Sequence, residues 1–355
     1  MQCAYALVWC ARPAIFFLLF AAIAVPMSKQ FELGQPPSDG ISGLRFHPVD
    51  DGALLAGSWD RQVRLYDTQG NALRASHHDH RAAVLGVAFD GTGGCAFSGG
   101  LDRRVLAWEG GYTQTREMGC HDGEISALEF SASCGLLVSG SWDRTLRGWD
   151  CRAAGSVARV DVDERIYSMS AQGSLLAVAL AGRTILVYDT RSLAEPLETR
   201  ESSLKFPTRC VKLMPSCEGF VCGSVEGRVA VEYLAGAAKS NYAFKCHRRA
   251  ADDGVDLVYP VNAVAFHPVH HTFVTGGSDG AVSLWDPDNK KRLKQYTGYP
   301  ASIAALDFSA SGRALAVASS YTYDEGEKDH PPDSIWIKSM LDAEARPKNA
   351  KQDAA

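Results

Sequence analysis

The sequence predicts an all-β fold, a seven-bladed β-propeller assembled from one repeated unit. The first observation is a recurring segment: an apolar run ends in a small residue, a tight polar turn follows, and a short strand closes on an aromatic and an acidic residue. The second observation is the period, because the closing acids Asp67, Glu109, Asp150 and Asp189 lie 42, 41 and 39 residues apart. Such a period is typical of one four-stranded propeller blade.

Six copies of the segment align without gaps and have the pattern of WD repeats. They occupy residues 54–67, 96–109, 137–150, 177–189, 220–234 and 273–286. Each copy is preceded by a strand of alternating apolar residues, for example Ile41–Phe46 and Val84–Phe89. The chain is therefore predicted to be a seven-bladed WD-repeat β-propeller, with the seventh blade supplied by a more divergent unit.

That divergent unit contains the strands Ile303–Phe308, Ala314–Ser319 and Ile335–Ile337, interrupted by an acidic loop. We expect Gln30–Leu33 to complete this last blade, because closing the ring removes free sheet edges. The spacing between the fifth and sixth copies grows to 53 residues, from Tyr233 to Asp286. This predicts a loop insertion near residues 239–259.

The two ends of the chain differ from the repeats. Residues 1–26 form a hydrophobic, signal-like extension that we expect to lie outside the fold, with Met27 as the true start of the protein. The alternative is a secreted protein that is cleaved after this segment and forms disulfides. Residues 27–340 are predicted to be the propeller, and residues 341–355 a polar, frayed tail.

Composition narrows the classes of function. The formal net charge is −5, which argues against a general nucleic-acid binder and predicts no direct contact with DNA. The 10 cysteines contain no C-x-x-C pair and lie mostly in apolar runs, so we expect reduced thiols in a nuclear or cytoplasmic protein without a membrane span. The sequence contains no recognised nucleophile or phosphate-loop motif, and we expect neither an enzyme nor a cofactor.

Several acids and histidines are interpreted as structural. We expect Asp60, Asp102, Asp143 and Asp279 to accept backbone N–H bonds in the turns, with His121 as a partner in blade three. Two histidine clusters are interpreted as solvated loops, with no bound metal, because neither has a second set of ligands at suitable spacing. They comprise His77, His78, His80, His267, His270 and His271.

Two tryptophans are the strongest binding candidates by residue type. Trp59 and Trp142 fall in turns, and the equivalent positions of other copies are taken to be Leu101, Val225 and Asp279, so the fold does not require tryptophan there. Exposed aromatic side chains on a propeller rim are typical anchors for a protein partner.

A narrower resemblance covers residues 28–348. Its motifs are residues 35–42, 200–215, 223–234, 242–248, 259–293, 318–338 and 342–348. With these motifs the chain resembles the Bub-three family of mitotic-checkpoint WD-repeat proteins. A sister family, the WD-repeat messenger-RNA export factor of the nuclear pore, shares several of them. The checkpoint family is favoured by the Val-Glu-Tyr that follows Arg228-Val-Ala, by the segment from Pro287 to Leu293, and by the final loop around His330.

The resemblance implies a spindle-assembly-checkpoint adaptor with two ligands on one face. One ligand is a GLEBS-type segment of checkpoint kinases or pseudokinases, for which it implies Arg209, Trp59 and Trp142. The other is a phosphorylated Met-Glu-Leu-Thr repeat of a kinetochore scaffold, for which it implies Arg228 and Lys245 together with both tryptophans. It further implies recruitment of checkpoint proteins in mitosis, a monomeric propeller within larger complexes, location in nucleus, cytoplasm and kinetochore, and ubiquitin binding as an additional activity.

The residue types suit these roles. Arginine captures phosphate or carboxylate with two parallel bonds, and Lys245 adds a second positive charge, so together they favour phosphothreonine over the free hydroxyl. The alternative for Arg228 and Lys245 is ordinary solvated charge, and for Arg209 a salt bridge within its own blade. Two other functions remain open: nuclear-pore export of messenger RNA, and substrate reception for a ubiquitin ligase, which would normally require a further domain.

Overall fold

The structure is a computed structural model and describes residues 30–153, 155–251 and 254–348. Residues 1–26, the predicted hydrophobic extension, lie outside the described residues. Seven four-stranded antiparallel sheets make up the blades. The first strand is β1 (Gln30–Glu32). Blade one consists of β2 (Ile41–Phe46), β3 (Ala53–Ser58), β4 (Val63–Asp67) and β5 (Ala72–His77). Blade two consists of β6 (Val84–Phe89), β7 (Ala96–Gly100), β8 (Arg104–Glu109) and β9 (Gln114–Cys120).

The remaining blades follow in chain order. Blade three has β10 (Ile125–Ser131), β11 (Leu136–Ser141), β12 (Thr145–Asp150) and β13 (Ala158–Asp161). Blade four has β14 (Ile166–Gln172), β15 (Leu175–Leu180), β16 (Thr184–Asp189) and β17 (Glu198–Glu201). Blade five has β18 (Thr208–Leu213), β19 (Gly219–Ser224), β20 (Arg228–Tyr233) and β21 (Tyr242–Lys245), and a hairpin of β22 (Arg248–Ala250) and β23 (Asp256–Val258) follows it. Blade six has β24 (Val261–Phe266), β25 (Phe273–Gly277), β26 (Val282–Asp286) and β27 (Lys291–Tyr296), and blade seven has β28 (Ile303–Phe308), β29 (Ala314–Ser319) and β30 (Ser334–Ser339).

The ring closes through the two ends of the chain, as predicted. Strand β1 pairs antiparallel with β30, with Phe31 opposite Ile337, so blade seven takes its outer strand from the N-terminal side. The inner strands β2 and β28 are also in contact, which completes a ring of seven inner strands. In the loops that follow these two inner strands, Asp51 of blade one accepts hydrogen bonds from the amide of Ser311 (3.0 Å) and from its hydroxyl. The prediction of a seven-bladed propeller is confirmed.

The blades pack on one another through apolar side chains from both neighbours. Between blades two and three, for example, Phe97 of β7 packs with Ile125 and Trp149, all less than 2 % exposed. The small residue at the end of each apolar run is explained by this packing. A Cβ on Gly276 would lie 2.4 Å from the Cγ2 atom of Ile303 in the next blade, so the blades could not approach as closely with a larger residue there.

The prediction that residues 239–259 form a loop insertion is wrong, because much of this stretch forms strands. Its first part is β21, the outer strand of blade five, and its second part is the β22–β23 hairpin, in which Arg249 pairs with Leu257. The sequence shows no apolar alternation in β22 and β23 because both strands are largely exposed. An exposed two-stranded hairpin has no buried face to impose that pattern.

The expected frayed tail is wrong for residues 341–348. They include a short helix, α1 (Asp342–Ala345), whose Ala345 is fully buried. Polar contacts anchor it to blade six: Asp342 lies 2.6 Å from the Nε2 atom of His270, and the hydroxyl of Thr272 donates to the carbonyl oxygen of Ala345 at 2.9 Å. A polar composition suggested a loose tail, but the polar groups have partners across the sequence. No helix in the described residues is long and apolar enough to span a membrane.

Four charged side chains of alternating sign meet in the central channel. Arg45, Glu129, Lys212 and Asp307 come from the inner strands of blades one, three, five and seven, and we call them the charge ring. Glu129 Oε1 lies 2.7 Å from Arg45 Nη2 and 3.8 Å from Lys212 Nζ. Burial alone would raise the pKa of Glu129, but these two cations hold it below its usual range. Burial raises the pKa of Asp307 in spite of the same cations.

Candidate functional site

One end of the propeller collects the features that the sequence analysis singled out. Each inner strand begins there with a β-bulge, and the bulged residues line the mouth of the central channel. They are Ser42, Leu85, Ser126, Tyr167, Arg209, Asn262 and Ala304. Three of the seven side chains donate hydrogen bonds to the next blade, as Ser42 does to the carbonyl oxygen of Val84. Tyr167 and Arg209 are partly exposed, and both side chains line the channel mouth.

The channel mouth is a funnel of about 910 Å³. Its rim carries Trp59, which is 49 % exposed, together with Trp142 and Tyr323, and below them the wall is largely apolar. Arg45 and Glu129 of the charge ring line its deeper part. Within the described residues, the buried Nε1 atom of Trp142 has no hydrogen-bond acceptor, and the buried hydroxyl of Thr208 on the same wall has no partner. Aromatic side chains and two residues with unpaired buried polar atoms therefore line one concave surface.

The two tryptophans occupy equivalent positions in their blades. The Trp59 amide donates to the carbonyl oxygen of Gly40 and the Trp142 amide to that of Glu124, each at 2.8 Å. In blade six the same bond is made by Ser278 rather than by Asp279, so the equivalent proposed from the sequence was one residue too late. Since blade six has serine at this position, tryptophan is not needed to build the turn, as predicted from the sequence.

Buried polar networks hold these turns in place. In blade three, Trp149 Nε1 donates to the Ser139 hydroxyl oxygen (2.8 Å), leaving that hydroxyl to donate to His121 Nε2 (2.6 Å). His121 Nδ1 then faces Asp143 at 3.0 Å. Burial tends to raise the pKa of Asp143, but hydrogen bonds from the Thr145 hydroxyl and from His121 lower it to about 2. Burial lowers the pKa of His121, which favours the neutral ring.

The interpretation of the histidine clusters as solvated loops is wrong for His80 and His267, and also for His77, which ends β5, and for His270, which contacts Asp342. His80 is 5 % exposed and lies 3.0 Å from Asp102, so it belongs to the blade-two counterpart of the His121 network. His267 is 4 % exposed, and its Nδ1 atom accepts backbone hydrogen bonds from Val269 and His270. The role of His80 was concealed in the sequence because its partners, Ser98 in β7 and Asp102 in the turn after it, lie far along the chain. Throughout the described ranges, no group of three or more His, Cys, Asp or Glu is arranged to hold a metal ion.

Arg209 does not make the salt bridge within its own blade that the sequence left open. Its Nη1 atom lies 3.0 Å from Oδ1 of Asp324, in the long loop between β29 and β30 that we call the blade-seven loop (residues 320–333). The Arg209 side chain remains 32 % exposed. A second cavity, of about 810 Å³, separates this loop from the β22–β23 hairpin and shares Tyr321 and Val225 with the funnel.

Arg228 and Lys245 lie side by side on the outer part of blade five. They are directly opposed in the β20–β21 pair, which puts their side chains on one face of the sheet. Lys245 is exposed. Arg228 Nε is 3.5 Å from Glu226 Oε1, so one carboxylate partly balances this pair of cations. Neither residue lines the funnel, and the predicted site residues therefore form two groups: Trp59, Trp142 and Arg209 at the channel mouth, and Arg228 with Lys245 on blade five.

Some exposed aromatic residues near this end were missed by the sequence analysis. Phe206 is 50 % exposed, Tyr167 42 % and Tyr323 56 %. Tyr167 could have been found, because it has the same position in its inner strand as Arg209. Tyr323 could not, because the blade-seven loop does not follow the repeat.

Comparison with known proteins identifies the family. The family described as WD domain, G-beta repeat matches residues 29–67, 72–109, 112–150 and 256–286. The mitotic checkpoint protein BUB3.1 of Arabidopsis thaliana is 48 % identical over 326 residues, covering 89 % of this chain and 94 % of that protein. The chain belongs to the Bub3 family of mitotic checkpoint WD-repeat proteins.

The other similarities agree with this family and its sister. The Poly(A)+ RNA export protein of Schizosaccharomyces pombe is 35 % identical, with 92 % of this chain and 94 % of that protein covered. A solved structure of U3-55K superposes with a TM-score of 0.77 at 20 % identity, over 88 % of this chain and 98 % of that one, and supports the fold alone. The Bub3 family is thus favoured over the export family, in agreement with the resemblance drawn from the sequence.

Proposed function

We propose that this Bub3-family protein is a non-enzymatic adaptor of the spindle-assembly checkpoint. It binds GLEBS-type segments of checkpoint kinases or pseudokinases at the channel mouth and phosphorylated Met-Glu-Leu-Thr repeats of a kinetochore scaffold on blade five. A monomeric propeller of the nucleus and cytoplasm would in this way bring checkpoint proteins to kinetochores in mitosis. The observation that carries the proposal is the convergence of Trp59, Trp142 and Arg209 on one funnel.

The chemistry of each group of residues fits its proposed ligand. The exposed Trp59 and the partly buried Trp142 offer large rigid surfaces to an incoming segment, and Arg209 offers a fork for its carboxylates. On blade five, phosphorylation of threonine adds a charge of about −1.5 to −2 at neutral pH, which Arg228 and Lys245 can match. The carboxylate of Glu226, 3.5 Å from Arg228, partly balances the positive charge of the arginine. It would therefore disfavour binding of anions that carry less charge than a phosphate group.

A peptide-binding experiment tests the phosphate reader. We expect a Met-Glu-Leu-Thr peptide, with a GLEBS-type segment present, to bind about 10- to 100-fold more tightly when its threonine is phosphorylated, as one or two charge-assisted hydrogen bonds would provide. Arg228→Glu should abolish this preference. Lys291→Glu is the matched control, because Lys291 is exposed on the outer strand of blade six and the substitution changes the charge equally. Equal binding with and without phosphate would remove the phosphate reader from the proposal.

The channel mouth is tested separately. We expect Trp59→Ala and Trp142→Ala each to weaken binding of the GLEBS-type segment about 30-fold, which is the loss typical of an aromatic anchor. The circular dichroism spectrum should stay unchanged. Unaltered affinity in both variants would exclude this surface as the binding site.

A second candidate is messenger-RNA export, favoured by the 35 % identity to the Poly(A)+ RNA export protein. It predicts tight binding of single-stranded RNA, with an affinity that falls steeply as salt rises. Measuring an RNA oligonucleotide beside the phosphopeptide, in the same buffer, distinguishes the two functions.

A further inference from the structure

The arginine at the channel mouth already has a carboxylate partner in the free protein. Asp324 bridges three blades: Oδ1 lies 3.0 Å from Arg209 of blade five, and Oδ2 accepts from the Thr322 hydroxyl (2.7 Å) and from the hydroxyl of Ser278 in blade six. Only 20 % of the Asp324 side chain is exposed. The blade-seven loop thereby places its own carboxylate where an acidic ligand of Arg209 would have to bind.

The loop reaches this position in a costly conformation. Tyr323, immediately before Asp324, has a φ of +57°, which is unfavourable for a bulky residue with a Cβ atom. The turn is supported from below by Tyr321, whose hydroxyl donates to the carbonyl oxygen of Gly326 (2.8 Å) and accepts from the Glu325 amide (3.2 Å). These bonds stay within the loop, whereas Asp324 alone makes the ion pair to Arg209. A segment that bears backbone strain and whose link to Arg209 is one partly exposed ion pair is suited to a two-state movement.

We infer that Asp324 is an internal competitor for Arg209, which a carboxylate of an acidic partner segment displaces on binding. The inference rests on the proposed function, since it requires that Arg209 receives such a carboxylate. Arg209 then exchanges one carboxylate for another, and the loop swings away from the funnel with Tyr323. The closed loop lowers the apparent affinity of every ligand, because a ligand binds only the fraction of molecules whose loop is open. A weakly acidic segment does not bind tightly enough to displace Asp324.

Asp324→Asn tests the competition. A partly exposed ion pair with two supporting hydrogen bonds keeps most molecules closed, so its loss should tighten binding of a synthetic GLEBS-type segment about three- to tenfold. Asp329→Asn is the matched control, because Asp329 belongs to the same loop, lines the neighbouring cavity and makes no contact with Arg209. The control should change affinity less than twofold. The gain in Asp324→Asn should disappear when every glutamate of the segment is replaced by glutamine.

The outcomes separate this inference from the proposed function. Tighter binding by Asp324→Asn alone supports the competitor, including the case in which the unmodified protein binds below detection. Binding by the unmodified protein that Asp324→Asn leaves unchanged or weakens overturns the competitor and leaves the proposed function intact. An equal gain in Asp329→Asn also overturns it, since general charge repulsion would then explain the result. Failure of all three proteins to bind overturns both.

Discussion

Removing the negative centre of the charge ring should destabilise the propeller strongly. In Glu129→Gln the shape of the side chain is kept, but Arg45 and Lys212 lose the carboxylate that lies 2.7 Å and 3.8 Å from them. Two cations then face one another with Asp307 as the remaining acid. A buried pair broken on one side costs about 3–5 kcal/mol. Because the side chains of Arg45 and Lys212 are 24 % and 23 % exposed to the channel, we expect about 2 kcal/mol.

The assay is urea unfolding at pH 7, followed by circular dichroism, with the slope of the transition compared between proteins. The control is the double variant Glu129→Gln with Lys212→Met, which removes one charge of each sign and should recover at least half of the lost stability. A Glu129→Gln protein within about 0.5 kcal/mol of the original would refute the reasoning, because the ring would then contribute no more than an exposed ion pair. Recovery by the double variant would show that repulsion between the cations causes the loss.

Three other predictions concern stability. Burial lowers the pKa of His267 to about 4, so as the pH falls the unfolded chain takes up a proton at this residue before the folded protein does. The free energy of unfolding should therefore fall between about pH 6.5 and pH 4, by at most about 3 kcal/mol. His267→Asn should flatten this part of a profile of urea midpoint against pH. Gly276→Ala forces a Cβ against Ile303 and should lower the free energy of unfolding by about 1–3 kcal/mol, measured by urea titration. Trp149→Phe loses the 2.8 Å bond to Ser139 and should cost about 1–2 kcal/mol, whereas an unchanged melting temperature would argue against that bond.

The repeat made much of the fold predictable. Strands such as Val84–Phe89 and Val261–Phe266 were placed to the residue, because burial on both faces makes them nearly continuous apolar runs and the period of the copies fixes their position. The convergence of Trp59 and Trp142 followed from the same register. Their equivalence is a property of the repeat, so it could be inferred before any contact was known.

Contacts that depend on ring closure were not predictable in this way. Arg209 and Asp324 are far apart in the sequence, and the blade-seven loop has no counterpart in the other blades that would indicate its path. The charge ring did leave a signal: Arg45, Glu129, Lys212 and Asp307 all stand next to the residue that ends the inner-strand pattern. That signal has meaning only when the inner strands of all the blades are known to surround one channel.

Pairing of β1 with β30 ties the order of synthesis to the order of assembly. The ribosome makes Gln30–Glu32 at the start of the folded region, but it makes Ser334–Ser339 as the last of the described strands. At a typical translation rate of about 5–20 residues per second, the first strand waits roughly 15–60 seconds for its partner. During that interval six blades can form on the emerging chain while the edge of the growing ring stays unpaired. A nascent chain of this protein is therefore expected to depend on holding chaperones until its final strand leaves the ribosome.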